Sequence, residues 1–189
     1  MRVLSVCLTL AVLCAGAVGP VAAQDPPPPA VQQYFAEENV DFGVKPQVHL
    51  QVNVGTPTPT AFPRNMAETL STYDLDDMLL FSPDDEYPLL VDVLNSDHNY
   101  TIMDAYFIPM GGQPGTFTDE IQKQLTAELA KITKGRMDRP IVFFCLGARC
   151  WESYNAVLRA YHAGYRKLYW YRGGINAWME AGLEVDSLY

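Results

Sequence analysis

Arg139-Pro140-Ile141-Val142-Phe143-Phe144-Cys145-Leu146-Gly147-Ala148-Arg149-Cys150-Trp151 is the stretch that decides how the chain is read. Ile141 to Phe144 is a short, continuous apolar run of β-branched and aromatic residues bounded by Pro140, the pattern of a strand buried on both faces. Cys145 stands at its end. A short loop, Leu146 to Arg149, leads into Glu152–Ala163, where Tyr154, Val157, Leu158 and Tyr161 fall at i, i+3, i+4 and i+7 on one helical face. Gly164 is placed to end that helix in a left-handed conformation. A thiol between a strand's carboxyl end and a helix's amino end sits where loop N–H groups and the helix dipole favour an anion. Such surroundings lower a cysteine pKa and make a nucleophilic thiolate, so Cys145 is the candidate nucleophile. Gly147 lets loop amides approach an anion unobstructed. Arg149 reads either as a partner for a thiolate or oxyanion, or as a solvated cation. Cys150 reads as a resolving thiol or as a helix-start residue. Trp151 reads as packing the helix start or as walling a binding cleft.

The first residues set the compartment. Arg2, the apolar run Val3 to Val18 and Val21-Ala22-Ala23 have the form of a secretory signal peptide, with cleavage expected after Ala23. The location is then periplasmic or secreted. Cys7 and Cys14 leave with the signal, and Cys145 and Cys150 enter an oxidising compartment, where their pairing is open. Loss of Arg2 takes the net charge from -9 to -10. So acidic a chain argues against nucleic acid and anionic membrane surfaces as partners. No later stretch is long and apolar enough to span a membrane.

Beyond the signal, Gln24–Ala30 contains four consecutive prolines and reads as an extended spacer. Val48, Leu50, Val52 and Val54 alternate with polar residues, predicting a half-buried strand. The proline-rich Thr56–Pro63 reads as a connector over the domain. A helix is expected over Leu75–Phe81 with Asp74 as its cap, a strand over Leu89–Leu94 with Asp92 near its end, and a strand over Ala105–Pro109. Thr116 or Thr118 is expected to cap a helix carrying Ile121, Leu125, Leu129 and Ile132 on one face, with Gly135 as its stop. Lys167–Tyr171 reads as a strand, Gly173-Gly174 as a turn, and Ile175–Ala181 as a last helix. Strands alternate with helices, which predicts an α/β fold with a parallel sheet and a site outside the strands' carboxyl ends. Cys145 and Asp92 both fall there, so Asp92 is a candidate support for the loop. His49, His98 and His162 show no ligand spacing and read as solvated; two cysteines without nearby histidines do not make a metal site.

Two family patterns bear on this loop. Tyrosine phosphatases place an arginine six positions after their loop cysteine; here that position is Trp151, which disfavours phosphatase activity. Ile141–Ala181 instead resembles the catalytic part of a rhodanese domain. The likeness is carried by the strand into Cys145, the glycine-containing loop, Ala163-Gly164-Tyr165, Leu168–Tyr171 and Gly173-Gly174-Ile175-Asn176-Ala177-Trp178. Leu90-Val91-Asp92-Val93 is similar to the first Asp-containing strand of that family, although Leu94 stands where ordinary rhodaneses carry an arginine. Cys150-Trp151, Asn155-Ala156 and Tyr169-Trp170-Tyr171 resemble a secreted subgroup named for a CxxCW motif and found alongside pyrroloquinoline-quinone-dependent alcohol oxidation; here four residues separate the cysteines.

The resemblance implies a rhodanese-like three-layer domain over residues 66–189, preceded by the signal (1–23) and an arm and connector (24–65). It implies a sulfurtransferase that holds a persulfide on Cys145, with Leu146, Gly147, Ala148, Arg149, Cys150 and Trp151 forming the anion-binding loop. No cofactor is required by that chemistry; the partners are a small sulfur donor and a thiol acceptor. The alternative is a redox or binding accessory, using the Cys145–Cys150 dithiol, of a periplasmic dehydrogenase or cytochrome in quinone-dependent alcohol oxidation.

Overall fold

A computed structural model describes residues 37–52 and 56–189. The expected signal peptide and proline spacer lie outside the described residues. Among the described residues seven strands form: β1 (Glu68–Leu70), β2 (Leu89–Asp92), β3 (Tyr100–Ile102), β4 (Tyr106–Phe107), β5 (Ile141–Phe144), β6 (Leu168–Tyr171) and β7 (Val185–Ser187). The main helices are α1 (Thr72–Phe81), α2 (Glu120–Ile132), α3 (Trp151–Ala163) and α4 (Gly174–Glu180). Five strands make one parallel sheet in the order β1-β6-β5-β2-β4, and β3 pairs with β7 as a separate antiparallel ribbon. Helices flank the sheet, as the alternation predicts.

β5 is the middle strand, paired with β2 on one side (Asp92↔Phe144) and β6 on the other (Phe143↔Trp170). All four of its residues are buried, which is why it reads as an unbroken apolar run rather than an alternating one. Cys145 follows directly, at the carboxyl end of the central strand.

α3 departs from the expected one-sided helix. Every residue from Trp151 to Ala160 is buried, polar ones included. Residues 37–52 and 56–62 are the cause, since they cover the face that would otherwise meet water. Phe62 stacks on Tyr154 with ring centroids 4.0 Å apart. The Tyr154 hydroxyl donates to the Gln47 carbonyl (3.0 Å), and burial pushes its pKa up to about 12. The expected strand over 48–54 is absent among its described residues: Leu50 is buried, but Val48 and Val52 are exposed. The backbone here satisfies itself on a side chain. Asn155 Oδ1 accepts from the Gln51 N–H (2.9 Å), and Nδ2 donates to the Gln51 carbonyl (3.0 Å). A side-chain amide thus replaces a ladder partner, a substitution that alternation of residue types does not encode.

Arg172, wholly buried after β6, holds the same segment. Its guanidinium donates to the carbonyls of Glu37, Glu38, Val40 and Thr58 and lies over the Phe42 ring. Glu38 in turn accepts from the Thr72 N–H (2.7 Å) and hydroxyl (2.8 Å) at the start of α1, and burial raises its pKa.

Helix starts were shifted by capping chemistry. α1 begins at Thr72 because Ser71, not Asp74, is its cap; Asp74 is the third helical residue of a capping box with Ser71. α2 is capped by Asp119, not by Thr116 or Thr118. Asp119 also receives Arg159 Nη1 (2.9 Å) and Nη2 (3.0 Å), so one carboxylate caps α2 and pairs with a buried guanidinium. Gly164 takes the expected left-handed conformation, φ 110°. β1, β3 and β7 are three residues each, too short to leave a period. Among the described residues no helix is long and apolar enough to cross a membrane.

The Arg159 bonds hold the Asp119 carboxyl well below its ordinary range. Removing the carboxylate leaves the buried Arg159 charge on neutral acceptors alone, the Gln113 and Thr116 carbonyls and Gln122 Oε1, at a cost of about 3 kcal/mol. Asp119→Asn should lower the stability found by denaturant titration at neutral pH by roughly that amount. Because the folded-state pKa is depressed, the contribution is full above the unfolded carboxyl pKa and is lost as pH falls through the folded one. The difference between variant and native protein should therefore shrink on acidification below about pH 4.

Candidate active site

The site lies outside the carboxyl ends of β2 and β5. The loop after β5 is held from two sides. The Ile175 N–H donates to the Cys145 carbonyl (2.9 Å) and the Asn176 N–H to the Leu146 carbonyl (3.1 Å). Gly174 makes this approach possible: its φ is +64°, and a Cβ there would overlap the Cys145 carbonyl oxygen. The Gly-Gly pair is thus more than a turn. From the other side Thr58 gives both its N–H (3.3 Å) and its hydroxyl (2.9 Å) to the Ala148 carbonyl.

Cys145 and Cys150 are joined in a disulfide, Cα to Cα 6.4 Å. Their surroundings differ. Cys145 is 1 % exposed. Its sulfur lies 3.1 Å from Ser153 Oγ, which itself accepts from Trp170 Nε1 (2.9 Å). A disulfide sulfur has no proton to give, so the Ser153 hydroxyl donates, and a relay runs Trp170 to Ser153 to Cys145. The Cys150 N–H is engaged by the Gly147 carbonyl (2.9 Å). Its sulfur lies 3.8 Å from Glu152 Oε2.

In front of Cys150 is a cavity of about 400 Å³, lined by Leu94, Leu146, Gly147, Ala148, Arg149 and Cys150, with Glu37, Ser96, Glu152 and Asn176. The structure thus brings together five of the six expected loop residues. Trp151 is the exception: it is buried, donates from Nε1 to Thr56 Oγ1 (3.1 Å) and packs edge-on against Tyr154. Arg149 is tied to Glu37, Nε to Oε1 3.0 Å, with its guanidinium over Phe42 at 4.6 Å.

Asp92 lies under the next loop rather than against the cysteine loop. It accepts from the Leu94 N–H (3.0 Å), the Thr101 hydroxyl (2.7 Å) and His98 Nε2 (3.1 Å). His98 is therefore not the solvated residue expected; its ring also reaches the Ser96 carbonyl and meets Phe107 edge-on. Glu152 was not foreseen. It is buried, accepts from the Asn95 N–H (3.1 Å) and from Gln113 Nε2 (2.6 Å), and burial raises its pKa against those bonds. Ser153 was missed as well. Its place three residues after Cys150 puts it on the same helical turn, but its reach to Cys145 depends on how α3 enters the sheet.

A parallel α/β domain with cysteines in the loop after its central strand is what these elements define. The sequence matches the Rhodanese-like domain family over residues 74–181, more than half of the chain. The protein belongs to that family. No curated protein sequence matches. Among solved structures, a Bacillus halodurans protein is similar at 20% identity and a TM-score of 0.48, covering 65% of this chain and 79% of that one. A thiosulfate sulfurtransferase from Pseudomonas aeruginosa aligns at 14% identity and TM-score 0.44, covering 64% of this chain and 20% of its own. An As-Sb reductase from Leishmania major aligns at 19% identity and TM-score 0.43, covering 64% and 92%.

Ser153→Ala should leave the buried Trp170 N–H unpaired, at a cost of about 1–3 kcal/mol. In the reduced protein it should also remove the hydroxyl donor from Cys145. Alkylation of Cys145 at fixed pH should slow, while that of Cys150 stays unchanged, as read by peptide mass mapping. Equal slowing at both cysteines would mean that the relay does not act on Cys145.

Proposed function

We propose that the protein is an exported sulfurtransferase-type enzyme in which Cys145, once freed from Cys150, carries a sulfane sulfur. The observation that carries this reading is the position of the thiol: the carboxyl end of the central strand of a rhodanese-like sheet, with a hydroxyl donor on its sulfur. The Cys145 thiolate attacks the outer sulfur of a donor such as thiosulfate. The donor's S–S bond breaks, sulfite leaves with its electron pair, and Cys145 holds a persulfide. An acceptor thiolate then takes the outer sulfur and regenerates the Cys145 thiolate. Ser153 stabilises the thiolate in both steps by the hydrogen bond that it already makes.

A second reading has its own observation, the Cys145–Cys150 bond. In that reading the dithiol is the working unit, and the protein is a redox or binding accessory to a periplasmic dehydrogenase or cytochrome of pyrroloquinoline-quinone-dependent alcohol oxidation.

Incubation of the reduced protein with thiosulfate, followed by mass spectrometry under non-reducing conditions, separates the two. Sulfur transfer requires one added sulfur on Cys145, lost in Cys145→Ser and retained in Cys150→Ser. Failure of native protein and variants to take up sulfur from any donor, uncharged sulfane-sulfur donors included, favours the accessory reading. Protein recovered from the envelope should begin near Gln24 by N-terminal sequencing; an intact Met1 in a cytoplasmic fraction would contradict export.

A further inference from the structure

The two sulfurs of the disulfide are unequal in access. Cys150 lines the cavity of about 400 Å³, whereas Cys145, 1 % exposed, is not among its lining residues. They are unequal as leaving groups too. Cys145 Sγ has the Ser153 hydroxyl at 3.1 Å, backed by Trp170 Nε1. Cys150 Sγ has a carboxylate oxygen at 3.8 Å instead. Exchange is faster when the departing sulfur is better stabilised as a thiolate, and it needs access to the sulfur attacked. Both conditions direct an outside thiol to Cys150.

The wall of that cavity also has a sign. Its ionisable lining residues are Glu37, Arg149 and Glu152, beside Cys150. Arg149 is bonded to Glu37, so these two cancel at close range. Glu152 remains, with both oxygens accepting, bonds that favour its ionised form against the burial that raises its pKa. Leu94 adds an apolar surface. An anion entering here meets a carboxylate beside the sulfur that it must attack, in surroundings drier than water, where charge repulsion is stronger.

We propose that Cys150 is the entry sulfur of the pair and that its acid-walled cavity admits neutral or cationic small thiols in preference to anionic ones. The inference rests on the cysteine loop being the working site. An incoming thiolate attacks Cys150 Sγ; the Cys145–Cys150 bond breaks, and Cys145 leaves as a thiolate held by Ser153. The Cys150 mixed disulfide is attacked by a second thiolate at the sulfur of the bound small molecule. The two small thiols end as their own disulfide, having supplied the two electrons that reduce the pair. Opening the pair in this way uncovers Cys145 for its own chemistry.

The test uses the oxidised full-length protein with cysteamine, mercaptoethanol and mercaptoethanesulfonate, cationic, neutral and anionic thiols of similar size. Reactions are quenched early with an alkylating reagent, and peptides are mapped without reduction. The small thiol should be found on Cys150, with the alkyl group on Cys145. Rates corrected for each reagent's thiolate fraction should fall from cysteamine to mercaptoethanesulfonate by roughly tenfold. Glu152→Gln should narrow that spread, and Glu37→Gln, which releases Arg149, should speed the anionic thiol. An adduct on Cys145, equal rates for the three reagents in the native protein, or the absence of the Cys145–Cys150 bond from oxidised protein overturns the proposal. The assay contains no sulfur donor, so its result is independent of thiosulfate uptake. Transfer without a Cys150 adduct sinks this inference alone, and a Cys150 adduct without transfer sinks only the sulfurtransferase reading.

Discussion

The fold depends on a helix with no solvent face over its first ten residues. Between Trp151 and Ala160 almost every polar side chain of α3 is bonded to a different part of the chain. Trp151 reaches Thr56, and Glu152 reaches Asn95 and Gln113. Ser153 reaches Trp170, Tyr154 reaches Gln47, and Asn155 reaches Gln51 and Gly112. Arg159 gathers Gln113, Thr116 and Asp119. A buried polar group costs several kcal/mol if left unpaired. Each of these side chains therefore constrains the segment that satisfies it. The site follows from this: one of its walls, the loop at Asn95, is fixed on α3 through Glu152, and the second cysteine is the N-cap of α3.

Much of the central architecture was legible beforehand, for physical reasons that particular residues show. Ile141–Phe144 reads as buried because a central parallel strand has two apolar faces. Gly164 reads as a helix stop because its backbone takes a left-handed conformation. Cys145 reads as a site residue because strand ends in a parallel sheet open onto a cleft. What escaped was held by side chains reaching across the chain. The alternation at Val48–Val52 mimicked a strand, but Asn155, over a hundred positions away, supplies the backbone's partner. Asp119 took the capping role because Arg159 also needs it. His98 and Asp92, six residues apart, met only because the loop between them folds back. Ser153 and Glu152 lie in a segment whose periodic apolar residues point to packing.

The cysteine loop shows how one fold position can be given a different electrostatic character. Its cation, Arg149, is bonded to Glu37 from the covering segment, and Glu152 projects from the helix start. Leu94 contributes no charge. The loop's shape comes from neighbours on both sides, α4 through Gly174 and the covering segment through Thr58. Its net charge is set from outside the loop, because Glu37 offsets the loop's own Arg149 and Glu152 adds a carboxyl. Shape and charge at this site are thus set by different side chains and are open to separate alteration.

Arg172 carries a consequence of another kind. Its guanidinium binds carbonyl oxygens of Glu37, Glu38, Val40 and Thr58, groups that any amino acid in those positions would present. What it recognises is the path of the backbone, not the identity of the residues. Positions such as Val40 are therefore free to drift in evolution without loosening the grip. A single inserted or deleted residue between Glu37 and Val40 would move the carbonyls out of register with a rigid planar fork. Val40 should accept spelling changes, while the stretch as a whole resists changes of length, the reverse of the usual behaviour of a surface loop.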